Sequence, residues 1–404
     1  MKLAISKERF QMRIQAVRER LQEKKLDGMV IFSPKSIFYL CGFGHIATER
    51  PIAMFVPVAG EPSLFIPMLE VDNVRIKVPW ITDVGTYYEY PQGSALLSGE
   101  FKHPMKLLAK FLQDKGFASK ALGADRAGAA ATWGYIGPKL KEVLPEAKIT
   151  LLKDLIMQLR IIKDPEEIAL IRESAKWGNL AHTFLQEFTE PGESEIEITV
   201  RASYEATRAM LRTLGPDFEM MEWGLPASAG FRGQVGAGSA LPHALGKNIK
   251  IRKGDVLVTG AGARIGGYNS ELERTMIVGE PSEKQKKYFE IMVKAQDAAL
   301  ETFKPGIKCS EVDKAANRVF KEAGCFKFMR HHTGHGLGTE GHEPPFLDIG
   351  SDVIIRPGMV FSCEPGIYIP EFAGFRHSDT VLITEDGAER ITYYPRDLES
   401  MTIL

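Results

Sequence analysis

Two periodicities divide the chain. Across residues 1–160 short apolar runs alternate with amphipathic stretches. Phe10 to Lys25 reads as a charged amphipathic helix, and Gly28 to Phe32 (GMVIF) as a buried strand. Ala53 to Val58 and Ser63 to Pro67 read as a hairpin around Ala59-Gly60-Glu61. Pro104 to Lys115 predicts a second helix, and Ala121 to Ala124 a short strand. Strands alternating with helices imply a three-layer α/β domain, because each sheet face needs a helical cover.

A joint follows at Arg160-Ile-Ile-Lys163-Asp164-Pro165-Glu-Glu. Asp164 suits an N-cap, Pro165 the first helical turn, and Glu166 and Glu167 the positive end of the helix dipole. A long helix is expected from here to about Phe188. We place the domains at residues 1–160 and 161–404.

The second half echoes itself. Pro191-Gly192-Glu-Ser194 and Pro305-Gly306-Ile-Lys-Cys-Ser310 each follow a long helix and open another, with an acid three residues after the serine. A capping box at Ser194 and Ser310 is expected, within a duplicated helical unit. Between and after these helices lie apolar strands: Asp255 to Thr259, Glu273 to Val278, Met359 to Cys363 and Thr380 to Thr384. Helices on one face of a curved antiparallel sheet give an α+β domain with a central cleft.

Composition narrows the class. Apolar residues make up 44% and charged residues 25% of 404, with a net charge of −1, as in ordinary soluble proteins. No stretch is basic enough to follow a phosphate backbone, so nucleic acid is not an expected partner. No apolar run is long enough for a membrane span, and the charged N-terminus has no apolar signal core. Cys41, Cys309, Cys325 and Cys363 form no CxxC pair, which predicts reduced thiols and a cytoplasmic protein.

Candidate chemistry lies in four segments. His331, His332, His335 and His342 crowd into RHHTGHGLGTEGHEPP. Glycines flank His335, which predicts close backbone approach to a ligand and an uncovered imidazole. Glu364 ends an apolar strand before Pro365-Gly366, where a buried acid needs a partner, a metal or a proton. In Asn269-Ser-Glu271-Leu-Glu273-Arg274-Thr275 a strand sends both glutamates to one face and Arg274 to the other. Two carboxylates on one face call for a cation, a shared proton or an arginine. His243, in Leu241-Pro242-His243, stands on a loop among glycine-rich stretches.

Together, KDPEE at Lys163, LPH at Leu241, HTGHGLGTEGHEPP at His332, EPGIY at Glu364 and DTVLITEDG at Asp379 resemble the creatinase/Xaa-Pro aminopeptidase family, M24, with its pita-bread fold. The resemblance implies an α+β catalytic domain with a pseudo-two-fold repeat behind a smaller three-layer α/β N-terminal domain. Family peptidases hold two metal ions on two Asp, one His and two Glu. On that pattern His335 and Glu364 match the His and the first Glu, and Glu271 fills the second Asp position. The first Asp position falls on Gly260 and the last Glu on Ser378. Two ligands are therefore absent.

Creatinase is the metal-free branch, and the resemblance to it implies roles for several residues. His243 matches its catalytic His, Glu273 and Glu364 the acids that grip a guanidinium, and Arg50 the arginine that reaches a partner subunit's substrate carboxylate. We therefore expect a hydrolase of a C–N bond in a small carboxylate-bearing substrate or dipeptide, with no cofactor. His243, Glu364 and His335 are the expected catalytic residues. Arg50, Glu273, His342, Glu271 and Arg376 are the expected substrate-binding residues, in a homodimer. One alternative is a peptidase or lyase with a single Zn, Mn or Fe ion on Glu271, His335 and Glu364. The other is a non-catalytic peptide-binding protein.

Overall fold

The computed structural model describes residues 3–46, 48–88, 102–129, 137–220 and 224–404. The chain forms two compact units, Ile5–Arg160 and Ile161–Leu404.

The first unit is built on a six-stranded mixed sheet. Its strand order is Asp83–Tyr87, Ser63–Pro67, Ala53–Pro57, Gly28–Ile31, Ala121–Ala124, Lys148–Leu151. The predicted hairpin is antiparallel with Ala53 opposite Phe65, and Gly28–Ile31 pairs in parallel with Ala121–Ala124. Alternate residues face two separate cores. Met29, Ile31, Met54, Val56, Leu64 and Ile66 pack under Ile14, Val17 and Leu21 of the helix Lys7–Glu23. Val30, Phe55 and Phe65 pack with Leu108 and Leu112 of the helix Pro104–Asp114. Both faces are covered, so these strands are apolar throughout and the three-layer expectation holds.

The second unit carries the helices Pro165–Glu187, Glu195–Leu214, Glu283–Thr302 and Cys309–Glu322 over short antiparallel strands. Asp164 Oδ1 accepts from the amides of Glu166 and Glu167, and the Asp164 amide in turn donates to the Glu167 carboxylate. This helix lies directly on the strand Gly260–Ile265. A Cβ on Gly178 would stand 3.0 Å from Gly262 Cα, and Ser174 donates to the Ala263 carbonyl.

The internal repeat is written in backbone hydrogen bonds. The amides of Gly192 and Glu195 donate to Ile251 and Ile249, and Ile251 donates to Glu193. The amides of Gly306 and Cys309 donate to Ile355 and Val353, and Ile355 donates to Ile307. Gly192 and Gly306 both have positive φ, 97° and 90°, where a Cβ costs energy. Capping differs between the halves. Ser194 is the N-cap of its helix, accepting from the Ile196 amide, but Glu197 does not complete the expected capping box. Ser310 is not an N-cap, because the second helix starts earlier, at Cys309 with Lys308 as N-cap, which places Ser310 inside its first turn.

Candidate functional site

Three strand segments of the second unit bring the acids together. Glu271 and Glu273 flank Leu272, which bridges Ala261, while Glu273 bridges Ser378. Glu364 follows the strand Val360–Cys363, which pairs with Asp379–Ile383. Alternation therefore turns Glu271, Glu273 and Glu364 inward, and their carboxylates offer oxygens within 4.8 Å of one another. Arg274 faces the other way, where it is fully buried against Asp379 at 2.9 Å.

His335 sits between two of these acids. Its Nε2 is 3.1 Å from Glu364 and 3.7 Å from Glu271, while Nδ1 bonds the Gly336 carbonyl at 3.0 Å. That Nδ1 bond leaves Nε2 buried without a hydrogen-bond partner. His342 stacks on the ring with centroids 3.6 Å apart. The imidazole is thus covered, contrary to the sequence expectation. Its flanking glycines serve strand packing instead. A Cβ on Gly334 would lie 2.1 Å from the Ser362 carbonyl, and one on Gly336 2.7 Å from that of Glu343. Glu343 of the same motif does not face the cluster's chemistry either. It forms a buried pair with Lys163 at 2.7 Å and fastens the histidine loop to the start of the domain.

Electrostatics follow from crowding. Burial pushes the Glu271 carboxyl up to about 7, helped by the charge of Glu364. Burial acts on Glu364 in the same sense, but His335, 3.1 Å away, and the Arg376 charge outweigh it and hold its carboxyl down. Burial disfavours a charged His335, yet the carboxylates of Glu364 and Glu271 beside it win, raising its pKa.

The expectation that Glu273 grips a cationic substrate is not met, because its oxygens are already taken. Arg376 donates from Nε and Nη2, the latter at 2.8 Å, and Arg232 donates from Nη2. Arg376 likewise differs from its expected substrate-binding role. It is 4% exposed and also donates to Tyr368 Oη at 2.7 Å, so it works as an internal counter-ion. Arg232 was not singled out in the sequence. Its only local signal is a charge within a glycine-rich run, and its ion-pair partner Glu273 is remote in sequence.

His243 lies on an exposed turn, and among the described residues no hydrogen bond or ion pair joins it to the cluster. Arg50 belongs to the other unit, where it bonds Thr48 Oγ1 at 3.1 Å and pairs with Glu49. His377 points away from the acids as alternation requires, buried edge-on to Phe289. A cavity of about 390 Å³ opens beside the cluster, with Glu271, Glu273, Arg232, Arg264 and the strand Gly260–Ala263 in its wall.

A two-ion centre does not fit this donor set. Gly260 and Ser378 supply no carboxylate, Ser378 Oγ instead donates to Glu271 at 2.7 Å, and the Arg232 guanidinium stands over Gly260. One ion does fit. The unpartnered His335 Nε2 faces carboxylate oxygens, and Glu271, His335 and His342 have donor atoms within 4.8 Å of one another.

Fold and site together define a two-unit hydrolase with an acid-and-histidine centre. Residues 169–385 match the model of metallopeptidase family M24, and residues 13–162 that of the creatinase/prolidase N-terminal domain. The chain is 30% identical to the Xaa-Pro dipeptidase of Pyrococcus horikoshii over 96% of its length and 98% of that protein's. It is 31% identical to that of Pyrococcus furiosus, over 96% and 99%. The crystal structure of dipeptidase PepE from Mycobacterium ulcerans superposes with a TM-score of 0.81 at 27% identity, covering 99% of both chains. The chain belongs to the M24 family and is a hydrolase of C–N bonds. These relatives are dipeptidases, so the expected kinship with the metal-free branch is not supported. The expectation of no cofactor gives way, on the family and the donor cluster, to that of a divalent ion.

Proposed function

We propose that this protein hydrolyses the C–N bond of a small carboxylate-bearing amide, Xaa-Pro dipeptides being the first class to test, at a centre for one divalent ion. The observation that carries this reading is the buried His335 Nε2, without a hydrogen-bond partner and facing Glu364 at 3.1 Å and Glu271 at 3.7 Å. Glu271, His335 and Glu364 would hold the ion, with His342 stacked alongside. When bound, such an ion lowers the pKa of a water and polarises a carbonyl. Glu271 stands in the cavity wall, oriented by Ser378, so its carboxylate meets the substrate amide. A carboxylate so placed takes a proton from water and returns it to the departing nitrogen. The names of the dipeptidase relatives support the substrate class.

The test joins metal analysis to turnover. Purified protein, loaded with Mn²⁺ or Zn²⁺ and desalted, should retain one equivalent and release proline from Xaa-Pro dipeptides. A chelator should abolish release, and the ion should restore it. Full turnover in metal-free protein would overturn this reading.

A further inference from the structure

We propose that Arg232 is the residue that receives the substrate's carboxylate, a specificity determinant within the cleft of its own chain. The inference rests on the proposed hydrolysis of a carboxylate-bearing amide and assigns the anion-binding part of that site. It begins with backbone strain. Arg232 has a φ of 53°, in the left-handed region, which the Cβ of a non-glycine residue disfavours. Glycine would fill this turn without that cost, yet an arginine occupies it, and such outliers gather at binding sites.

The chain also makes room for the side chain. A Cβ on Gly260 would stand 3.0 Å from Arg232 Cζ and 3.1 Å from Nη2. Only a glycine there lets the guanidinium lie flat on the strand Gly260–Ile265, in the cavity wall. Among the described residues the two side-chain hydrogen bonds of Arg232 both leave from Nη2, to Glu273 and, at 3.3 Å, to Gln234 Oε1. Nε and Nη1 have no acceptor among the described residues, and the side chain is 51% exposed. The guanidinium is therefore anchored at one nitrogen and open at the others.

Charge decides what it receives. Glu271, Glu273 and Glu364 repel an anion from this end of the cleft. Arg376 cannot answer that, because it is buried and its donors go to Glu273, Tyr368 and Gln234. Neutralising Glu273 needs no second arginine, since Arg376 already bonds both its oxygens. Arg264, also in the wall, donates its Nε to Asn269 Oδ1 at 2.9 Å. Arg232 remains as the held cation with free N–H groups, and its fork suits a carboxylate by two parallel bonds.

The test uses two probes that differ only in the anion, N-acetylproline and N-acetylprolinamide. Each is titrated by calorimetry into the full-length, metal-loaded protein and into its Arg232→Ala, Arg232→Lys, Gly260→Ala and Arg50→Ala variants. Wild type should bind the acid at least about ten-fold more tightly than the amide, as for a charge-assisted hydrogen bond. Arg232→Ala should bring the ratio near one with amide affinity unchanged, and Arg232→Lys should restore part of it. Gly260→Ala, which keeps the arginine but displaces it, should act like Arg232→Ala. Arg50→Ala should keep the preference. A wild type without preference, or binding neither probe, overturns the proposal. So does Arg232→Ala retaining the preference, or Arg50→Ala alone losing it. Binding does not require turnover. Absent dipeptide hydrolysis with a preference that depends on Arg232 would therefore sink the proposed function and not this assignment.

Discussion

Replacing Asp379 by alanine should destabilise the catalytic unit by about 3–5 kcal/mol, the cost of leaving a buried ion without its partner. The structure explains why the loss belongs at that level. Arg274 and Asp379 are both 0% exposed. All five N–H groups of the guanidinium are used. Nε donates to Pro395 O at 2.7 Å, and Nη1 to Glu273 O and Ser378 O at 2.7 and 2.9 Å. Nη2 donates to Asp379 and to Tyr394 O at 2.9 and 3.0 Å. Asp379 also accepts from Thr392 Oγ1 at 2.6 Å and Gln296 Nε2 at 3.0 Å. Alanine would leave those two donors unpaired and the guanidinium ringed by carbonyl dipoles with no countercharge. Because Arg274 clamps the backbones of Glu273 and Ser378, the site should loosen as well. Hydrogen exchange across Thr275–Val278 and Asp379–Ile383 reads this unit apart from the other. The control is Glu389→Ala, whose partner Arg172 is 38% exposed and which should cost less than about 1 kcal/mol. If Asp379→Ala cost no more than that control, the reasoning from burial would be wrong.

Three further outcomes follow from the same physics. Burial depresses the pKa of His182 to about 3, of His45 to about 4, and of His377 well below its ordinary value. Each is neutral when folded and takes up a proton when unfolded below about 6.5, so its contribution is whole above that pH and lost as pH falls. Denaturant melts should show stability dropping by about 1.4 kcal/mol per pH unit for each such histidine below 6.5, and a flat profile from 7 to 5 would refute this. Gly334→Ala should cost about 1–3 kcal/mol or more in thermal unfolding, since its Cβ would meet the Ser362 carbonyl at 2.1 Å. Ser378→Ala removes the hydroxyl that holds Glu271 and should weaken divalent-ion affinity by about 10–100-fold, measured by competition with a chelating dye. Unchanged affinity would remove Glu271 from the ion site.

What could be read from the sequence divides along the range of the interactions. The hairpin at Ala53–Pro57 and Ser63–Pro67 and the cap at Asp164 follow rules that act over a few residues, and both lie where those rules put them. Ser310 obeys the same local pattern and still fails as a cap. The Cys309 amide pairs instead with the Val353 carbonyl, a contact no window around Ser310 contains. The glycines around His335 depart from the local expectation for a similar reason. The Ser362 carbonyl that requires Gly334 belongs to a neighbouring strand, so the local view showed openness where the fold has contact. The site carries the same lesson in sharper form. Gly260 and Ser378 were visible as absent carboxylates, but the groups that stand in their place were not. Ser378 turns its hydroxyl to Glu271, and Arg232 lays a guanidinium where an acid at 260 would have pointed. A lost acid and an added base on two remote segments are one change in charge at one point in space. A position-by-position reading counts the loss and misses the replacement. Gly260 and Arg232 are therefore coupled, and Gly260→Asp in the presence of Arg232 should pair the new acid with the guanidinium and gain no second ion.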